Sequence, residues 1–217
     1  MSTLLMVRHA ESTANLASRY TWHDHEPLTE LGHRQAREAG RMLAEQYEPS
    51  YLYCSRFRRA RQTAEEIAAE VGLPVVEIDG IEERCFGELR GKPWDVYRAV
   101  LAELDIEELW HHRAPGGESL VDVASRAAPV VKGLAERHVG QQVIVVSHGG
   151  VMAALRAWIA GAQATCPTSP VDRRADPGNA RIGTWKNRPT PTKNADGFRL
   201  DRDGTGWRPP QPLFDSA

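Results

Sequence analysis

An α/β fold built on a mostly parallel sheet is the class this chain predicts, and three observations carry it. Two apolar runs far apart in the chain, Leu4–Val7 and Val143–Val146, each stop at a histidine, His9 and His148. Between them strand-like and helix-like segments alternate, which is the pattern of parallel strands joined by helical crossovers. The 217 residues suffice for one sizeable core and are too few to make two ordinary domains the natural reading. In open sheets of this class ligands bind outside the carboxyl ends of the strands, so a histidine placed there faces a crevice and not the core.

Taken in order, Leu4–Val7 is the first strand and delivers Arg8-His9 to its end. Leu16 to Pro27 is polar and aromatic and reads as a loop; its His23, Asp24 and His25 read as solvated side chains, not as a metal site. Thr29 is a good N-cap with Glu30 in the first turn, and Ala36, Ala39, Leu43 and Tyr47 recur at helical spacing up to Pro49. Tyr51–Cys54 is a second short strand, ending at Ser55. From about Arg58 a helix follows, with Ala60, Ala64, Ile67, Ala68 and Val71 on its apolar side and Gly72 and Pro74 as its stop. Four arginines, Arg56, Arg58, Arg59 and Arg61, crowd this junction, where their mutual repulsion calls for an anion or carboxylates.

Val75–Ile78 is a third strand and leads to a segment holding Glu82, Glu83 and Glu88. Lys92–Leu109 is helix-prone but polar, with Trp94, Val96, Tyr97, Val100, Leu101 and Leu104 as apolar members, and reads as a helical cap over the pocket. Ser119 caps a helix over Leu120–Arg137 whose Val123, Ala127, Val131 and Leu134 form a core stripe, and a helix-like run, Val151–Ile159, follows the His148 strand. Beyond Gly161 the composition shifts, with eight of the 14 prolines in the last 55 residues. There Arg181–Trp185 and Phe198–Leu200 are expected as antiparallel edge strands with a turn through Asp196-Gly197, and 163–178 and 203–217 are expected to lack order.

With 27 basic against 29 acidic residues there is no global field for nucleic acid or an anionic membrane, so any anion site is local. No apolar run approaches the roughly 20 residues that span a bilayer, and Met1–Leu5 has no signal-peptide pattern; a soluble cytoplasmic protein is expected. Cys54, Cys85 and Cys166 are an odd, scattered set without CxxC, which reads as free thiols.

The motifs Arg8-His9-Ala10-Glu11 with Asn15, Leu28-Thr29-Glu30-Leu31-Gly32, Ser55–Ala64, Glu83–Glu88, Pro115-Gly116-Gly117-Glu118-Ser119 and Ser147-His148-Gly149 follow one another in an order that resembles the histidine phosphatase superfamily, over about residues 3 to 160. The resemblance implies a three-layer α/β/α sandwich of the phosphoglycerate mutase-like kind, one domain over 1–217 with its core in 1–162 and a loop-rich extension in 163–217. It implies catalysis by His9, Glu83 and His148, with phosphate held by Arg8, Asn15, Arg59 and His148. His9 would be the nucleophile, a protonated His148 part of the positive field, and Glu83 the proton donor, with Glu82 and Glu88 as fallbacks. Arg56, Arg58 and Arg61 would lie on the surface. Thr21 and Trp22 would form the substrate rim, near where the family commonly has Gly, and Ala10 replaces the usual Gly beside the nucleophile. No metal and no cofactor is implied. The substrate would be a small phosphomonoester, and the assembly would be compatible with a homodimer. The rivals are phosphoglycerate mutase-type transfer, disfavoured by the short stretch between Gly91 and Pro115, and a non-catalytic binding or scaffold protein.

Overall fold

The computed structural model describes residues 1–20, 24–161, 194–204 and 206–214. Four strands run parallel: β1 (Ser2–Arg8), β2 (Pro49–Ser55), β3 (Val75–Ile78) and β4 (Gln142–Ser147). β5 (Gly197–Asp203) lies antiparallel to β1 on its other side, and two short strands, β6 (Gly206–Trp207) and β7 (Gln211–Pro212), pair with β5. The order across the sheet is β3-β2-β4-β1-β5-β6, so β1 and β4 are central and their ends stand side by side.

Alternation along the central strands explains why both faces are covered. Leu4 and Met6 of β1 and Val143 and Val145 of β4 enter one core with α6 (Leu120–Arg137) and α7 (Gly149–Gly161). Leu5, Val7, Ile144 and Val146 enter the opposite core with Leu43 of α2 (Glu30–Gln46) and Ala60, Ala64 and Ile67 of α3 (Arg58–Val71). A parallel strand buried on both faces reads as a continuous apolar run, which is the pattern seen in these two. The result is the three-layer α/β/α sandwich. Each of the fully buried Leu, Ile, Val and Met side chains among these contributes roughly 1.5–3 kcal/mol.

Local signals act as expected at the helix ends. Thr29 caps α2 by accepting from the Gly32 N–H, Ser119 forms a capping box with Asp122, and Gly72 ends α3 in the left-handed region at φ 71°. Gly32 has a second reason to be glycine, because a Cβ there would overlap the carbonyl of Glu11 in the loop leaving β1. A short helix, α1 (Thr13–Leu16), capped by Ser12, precedes the loop.

Three expectations need correction. The segment expected as one cap helix over 92–109 is two, α4 (Trp94–Glu103) and α5 (Ile106–His111), because Leu104 is extended and Asp105 starts a new capping box with Glu108. No turn is made at Gly197; it opens β5, where a side chain would run into the Met6 carbonyl of the neighbouring strand. And 206–214 is ordered: β6 and β7 add to the sheet, Leu213 is buried in the α2/α3 core, and its carbonyl accepts from the Tyr47 hydroxyl at 2.7 Å. Backbone pairing supplies order there that side-chain composition does not signal. Arg181–Trp185 and 163–178 lie outside the described residues. Among the described residues no helix is long and apolar enough to cross a membrane.

Candidate active site

The carboxyl ends of β1, β4 and β2 bring three side chains together. β1 and β4 pair with Arg8 opposite Ser147, and the His9 N–H extends the ladder by donating to the Ser147 carbonyl at 2.8 Å. His9 and His148 are therefore each one residue past neighbouring strand ends, both buried, with ring centroids 5.1 Å apart and planes tilted by 56°. Ser55, the last residue of β2, places its Oγ 2.9 Å from Nε2 of His148.

The tautomer of His9 follows from its partners. Nδ1 lies 2.8 Å from the Ala10 carbonyl, which can only accept, so Nδ1 carries the proton. Nε2 is then a lone pair, and the Arg59 Nε–H donates to it at 3.3 Å. Burial first, and then the charges of Arg59 and Arg8, hold the His9 pKa well below its ordinary value, so the ring is neutral with its nucleophilic nitrogen inward. Ala10 costs little here: its methyl packs with Leu28, Ala36 and Ala39 on the α2 side.

His148 is pushed down in the same way, by burial and then by Arg59 and His9. A protonated His148, expected with a phosphoryl group in place, is therefore disfavoured while no anion is bound: burial first, then the neighbouring arginines Arg59, Arg126 and Arg8, oppose the cation. Its Nδ1 is buried and has no hydrogen-bond partner among the described residues.

Arg59 lies on the first turn of α3 and is buried, with its pKa pushed down to about 10 by burial, against which Glu83 and Glu26 act; at neutral pH it is still a cation. Arg8 is lowered too, by burial, with Glu83 opposing. A pair of desolvated guanidiniums beside a helix N-terminus suits a doubly charged phosphoryl group, the fork geometry being matched to its oxygens. Arg56, Arg58 and Arg61 are exposed as expected, Arg56 near Asp79 and Glu82 and Arg61 near Glu65 and Glu77.

Glu83 reaches the same point from the irregular segment after β3. One imidazole nitrogen from each of His9 and His148 and one carboxylate oxygen of Glu83 lie within 4.8 Å of one another. Oε1 accepts from the Arg84 N–H at 2.8 Å and the Gly150 N–H at 2.9 Å. Oε2 has no hydrogen bond among the described residues and is the oxygen left to carry a proton. Gly150 must be glycine for this, since a Cβ would sit 2.5 Å from Oε1. The fallbacks point elsewhere: Glu82 is engaged by Arg56 and Arg126, and Glu88 is exposed.

Asn15 spends its Oδ1 on the Ser12 N–H and hydroxyl in the cap of α1, which leaves the amide NH2 as the group it can offer an anion. Thr21 and Trp22 lie outside the described residues, as does His23; Asp24 and His25 pair with each other at 3.0 Å, both about three-quarters exposed. Among the described residues the set of three that a cation could reach is His9, Glu83 and His148. Arg59 donates to His9 Nε2, the ring nitrogen that carries the lone pair, and Arg8 adds a second positive charge, so the donor set fits an anion better than a metal. Ser55, Gly150, Arg126 and Glu118 carry site geometry that motif reading leaves without a role; the glycine pair after His148 was the visible signal for one of them.

Residues 4–170 match the family model for the histidine phosphatase superfamily, branch 1. The chain belongs to the histidine phosphatase superfamily. Among similar members, a metal-independent phosphoserine phosphatase of Arabidopsis thaliana is 32% identical over 164 residues, 71% of this chain and 67% of that one. A 2,3-bisphosphoglycerate-dependent phosphoglycerate mutase of Methylobacterium radiotolerans is 36% identical over 163 residues, 70% and 76% of the two chains. Of solved structures, a mycobacterial glucosyl-3-phosphoglycerate phosphatase in complex with VO3 superposes with a TM-score of 0.73 at 26% identity, over 95% of this chain and 96% of that one. The histidine phosphatase fold, with phosphatases among its relatives, is thereby the frame for reading the site.

Proposed function

We propose that this histidine phosphatase superfamily member is a metal-independent phosphomonoester hydrolase of small phosphorylated metabolites, working through a phosphohistidine. The lone pair of His9 Nε2 attacks phosphorus as the P–O bond to the leaving group breaks in line, and Glu83 Oε2 gives its proton to the departing oxygen. Glu83, now a carboxylate, takes a proton from water whose oxygen attacks the phosphohistidine; phosphate leaves and His9 is restored neutral. Arg8, Arg59 and His148 hold the equatorial oxygens with Asn15 as a neutral donor, and the dianion itself favours protonation of His148 once bound. Catalysis of this kind is mainly positioning and charge compensation, which the buried Arg59 and the half-buried Arg8 supply.

The observation that carries the reading is the His9 ring: Nδ1 tied to the Ala10 carbonyl, Nε2 unprotonated beside Arg59, and the Glu83 carboxylate within reach. The competing reading is phosphoryl transfer of the mutase kind, favoured by relatives so named at 35–36% identity. It uses the same residues and differs in returning the phosphoryl group to a second hydroxyl. The compact α4–α5 pair between Gly91 and Pro115 leaves little material to hold a phosphorylated product, which favours water as acceptor.

The test is a screen of sugar, nucleotide, glycerate and amino-acid phosphates for phosphate release, with a rapid alkaline quench of the turning-over enzyme. Acid-labile, base-stable phosphate on His9, absent from His9→Ala, and release unchanged by EDTA are expected. A folded His9→Ala protein with appreciable turnover, or activity lost to the chelator and restored by zinc or magnesium, overturns the mechanism; transfer to glycerate phosphates without net release makes it a mutase.

A further inference from the structure

The segment that carries Glu83 has no regular secondary structure, yet its backbone is gripped from α6. Arg126 lies two helical turns into that helix and uses its whole fork: Nη1 donates to the Gly80 carbonyl at 3.1 Å, Nη2 to the carbonyls of Glu82 at 2.9 Å and Glu83 at 3.2 Å, and Nε and Nη2 to the two carboxylate oxygens of Glu118 at 2.8 and 3.0 Å. Glu118 completes the grip on the other side of the acid, since its Oε2 accepts from the Cys85 N–H at 2.8 Å and its own N–H donates to the Cys85 carbonyl at 2.8 Å. The residues before and after Glu83 are thus held by one bidentate ion pair, while Gly150 holds the carboxylate itself.

We infer that Arg126, with Glu118, is a positioning residue for the proton donor: it sets where Glu83 Oε2 stands relative to the leaving oxygen and touches neither substrate nor the reacting atoms. The inference rests on Glu83 being that donor. A planar fork reaching three carbonyls and a carboxylate at once cannot be reproduced by a single ammonium, so Arg→Lys is not conservative here. A shift of the acid by a fraction of an ångström matters where the proton is needed and hardly where it is not.

The experiment compares Arg126→Lys and Glu118→Gln with wild type on an alkyl phosphate and on p-nitrophenyl phosphate, reading for the latter the nitrophenolate burst, which reports phosphoryl transfer to His9 alone. A drop of about 10- to 100-fold in alkyl kcat with KM little changed, a burst rate within about threefold of wild type, and a displaced alkaline limb of the alkyl pH profile are expected. Equal losses on both substrates, or no loss on either, overturn the inference, because a merely structural contact would not distinguish leaving groups. Glu83→Gln run alongside separates the two ideas: if it lacks leaving-group dependence, the assignment of Glu83 has failed; if it shows that dependence and the Arg126 and Glu118 variants do not, only the positioning role has.

Discussion

The two halves of this site are held by different physics. His9 and His148 sit on the ends of central strands, where position is inherited from the sheet: the ladder that pairs Arg8 with Ser147 fixes both histidines before any side chain makes a contact. Glu83 sits on an irregular segment and owes its place to side chains and backbone groups from afar, namely Gly150 on α7 and Arg126 on α6. The nucleophile is therefore robust to its surroundings, and the acid depends on them.

The sharpest way to break that contrast is to neutralise the acid. Glu83→Gln keeps the acceptor for the Arg84 and Gly150 N–H groups but removes the proton, so hydrolysis of an alkyl phosphate is expected to fall by on the order of 10²–10⁴ while the nitrophenolate burst falls far less. Equal falls would mean that Glu83 only shapes the pocket, and Glu82 and Glu88 would need the same test. A smaller effect is expected from Gly150→Ala. Its methyl would displace Oε1, held now at 2.9 Å, and lower the alkyl rate by about 10-fold or more with phosphoryl transfer to His9 from an aryl ester largely kept. Loss of the burst as well would show that the nucleophile side depends on the same contact.

The smallest effect concerns stability. Both buried histidines titrate lower in the folded protein than their ordinary 6.5, so below that pH the unfolded chain binds protons that the folded one refuses. Stability then rises with pH through this window and is lost as pH falls below 6.5, by up to roughly 1.4 kcal/mol per pH unit for each histidine, until the folded pKa values are reached. Urea midpoints of wild type and of the double variant His9→Ala/His148→Ala between pH 7.5 and 5.5 check it; the same slope in both would remove the histidines as its source.

This division also explains what the chain's pattern disclosed. Strand runs such as Val143–Val146 and the helix caps Thr29 and Ser119 were legible because each is a local signal tied to a local structure, whereas the buried Arg59 stood out among four arginines only through the family resemblance. The break between α4 and α5 does carry a local signal, the capping box of Asp105 and Glu108, inside a run whose composition stays helix-prone; the ordered strands β6 and β7 and the roles of Ser55, Gly150 and Arg126 were not legible. Each depends on a partner dozens of residues away, as with Gly150 and Glu83, 67 positions apart, or on backbone pairing that any side chain permits. The downward shift of the His148 pKa before an anion binds was not legible for a similar reason, since desolvation is a property of the assembled core and not of a motif.

The antiparallel partner of β1 comes from the far end of the chain, with Ser2 facing Arg202 and Val7 facing Gly197. During synthesis the strand that leads to Arg8 and His9 must wait with one edge unpaired until Gly197–Asp203 has emerged, and the contact it awaits is among the most distant in sequence between the described residues. Such closures are slow, and an open edge is a site for wrong pairing while it lasts. The nucleophile is at position 9, but the strand that closes the sheet beside it is Gly197–Asp203, so removing that strand would cost assembly of the site without removing one of its catalytic groups.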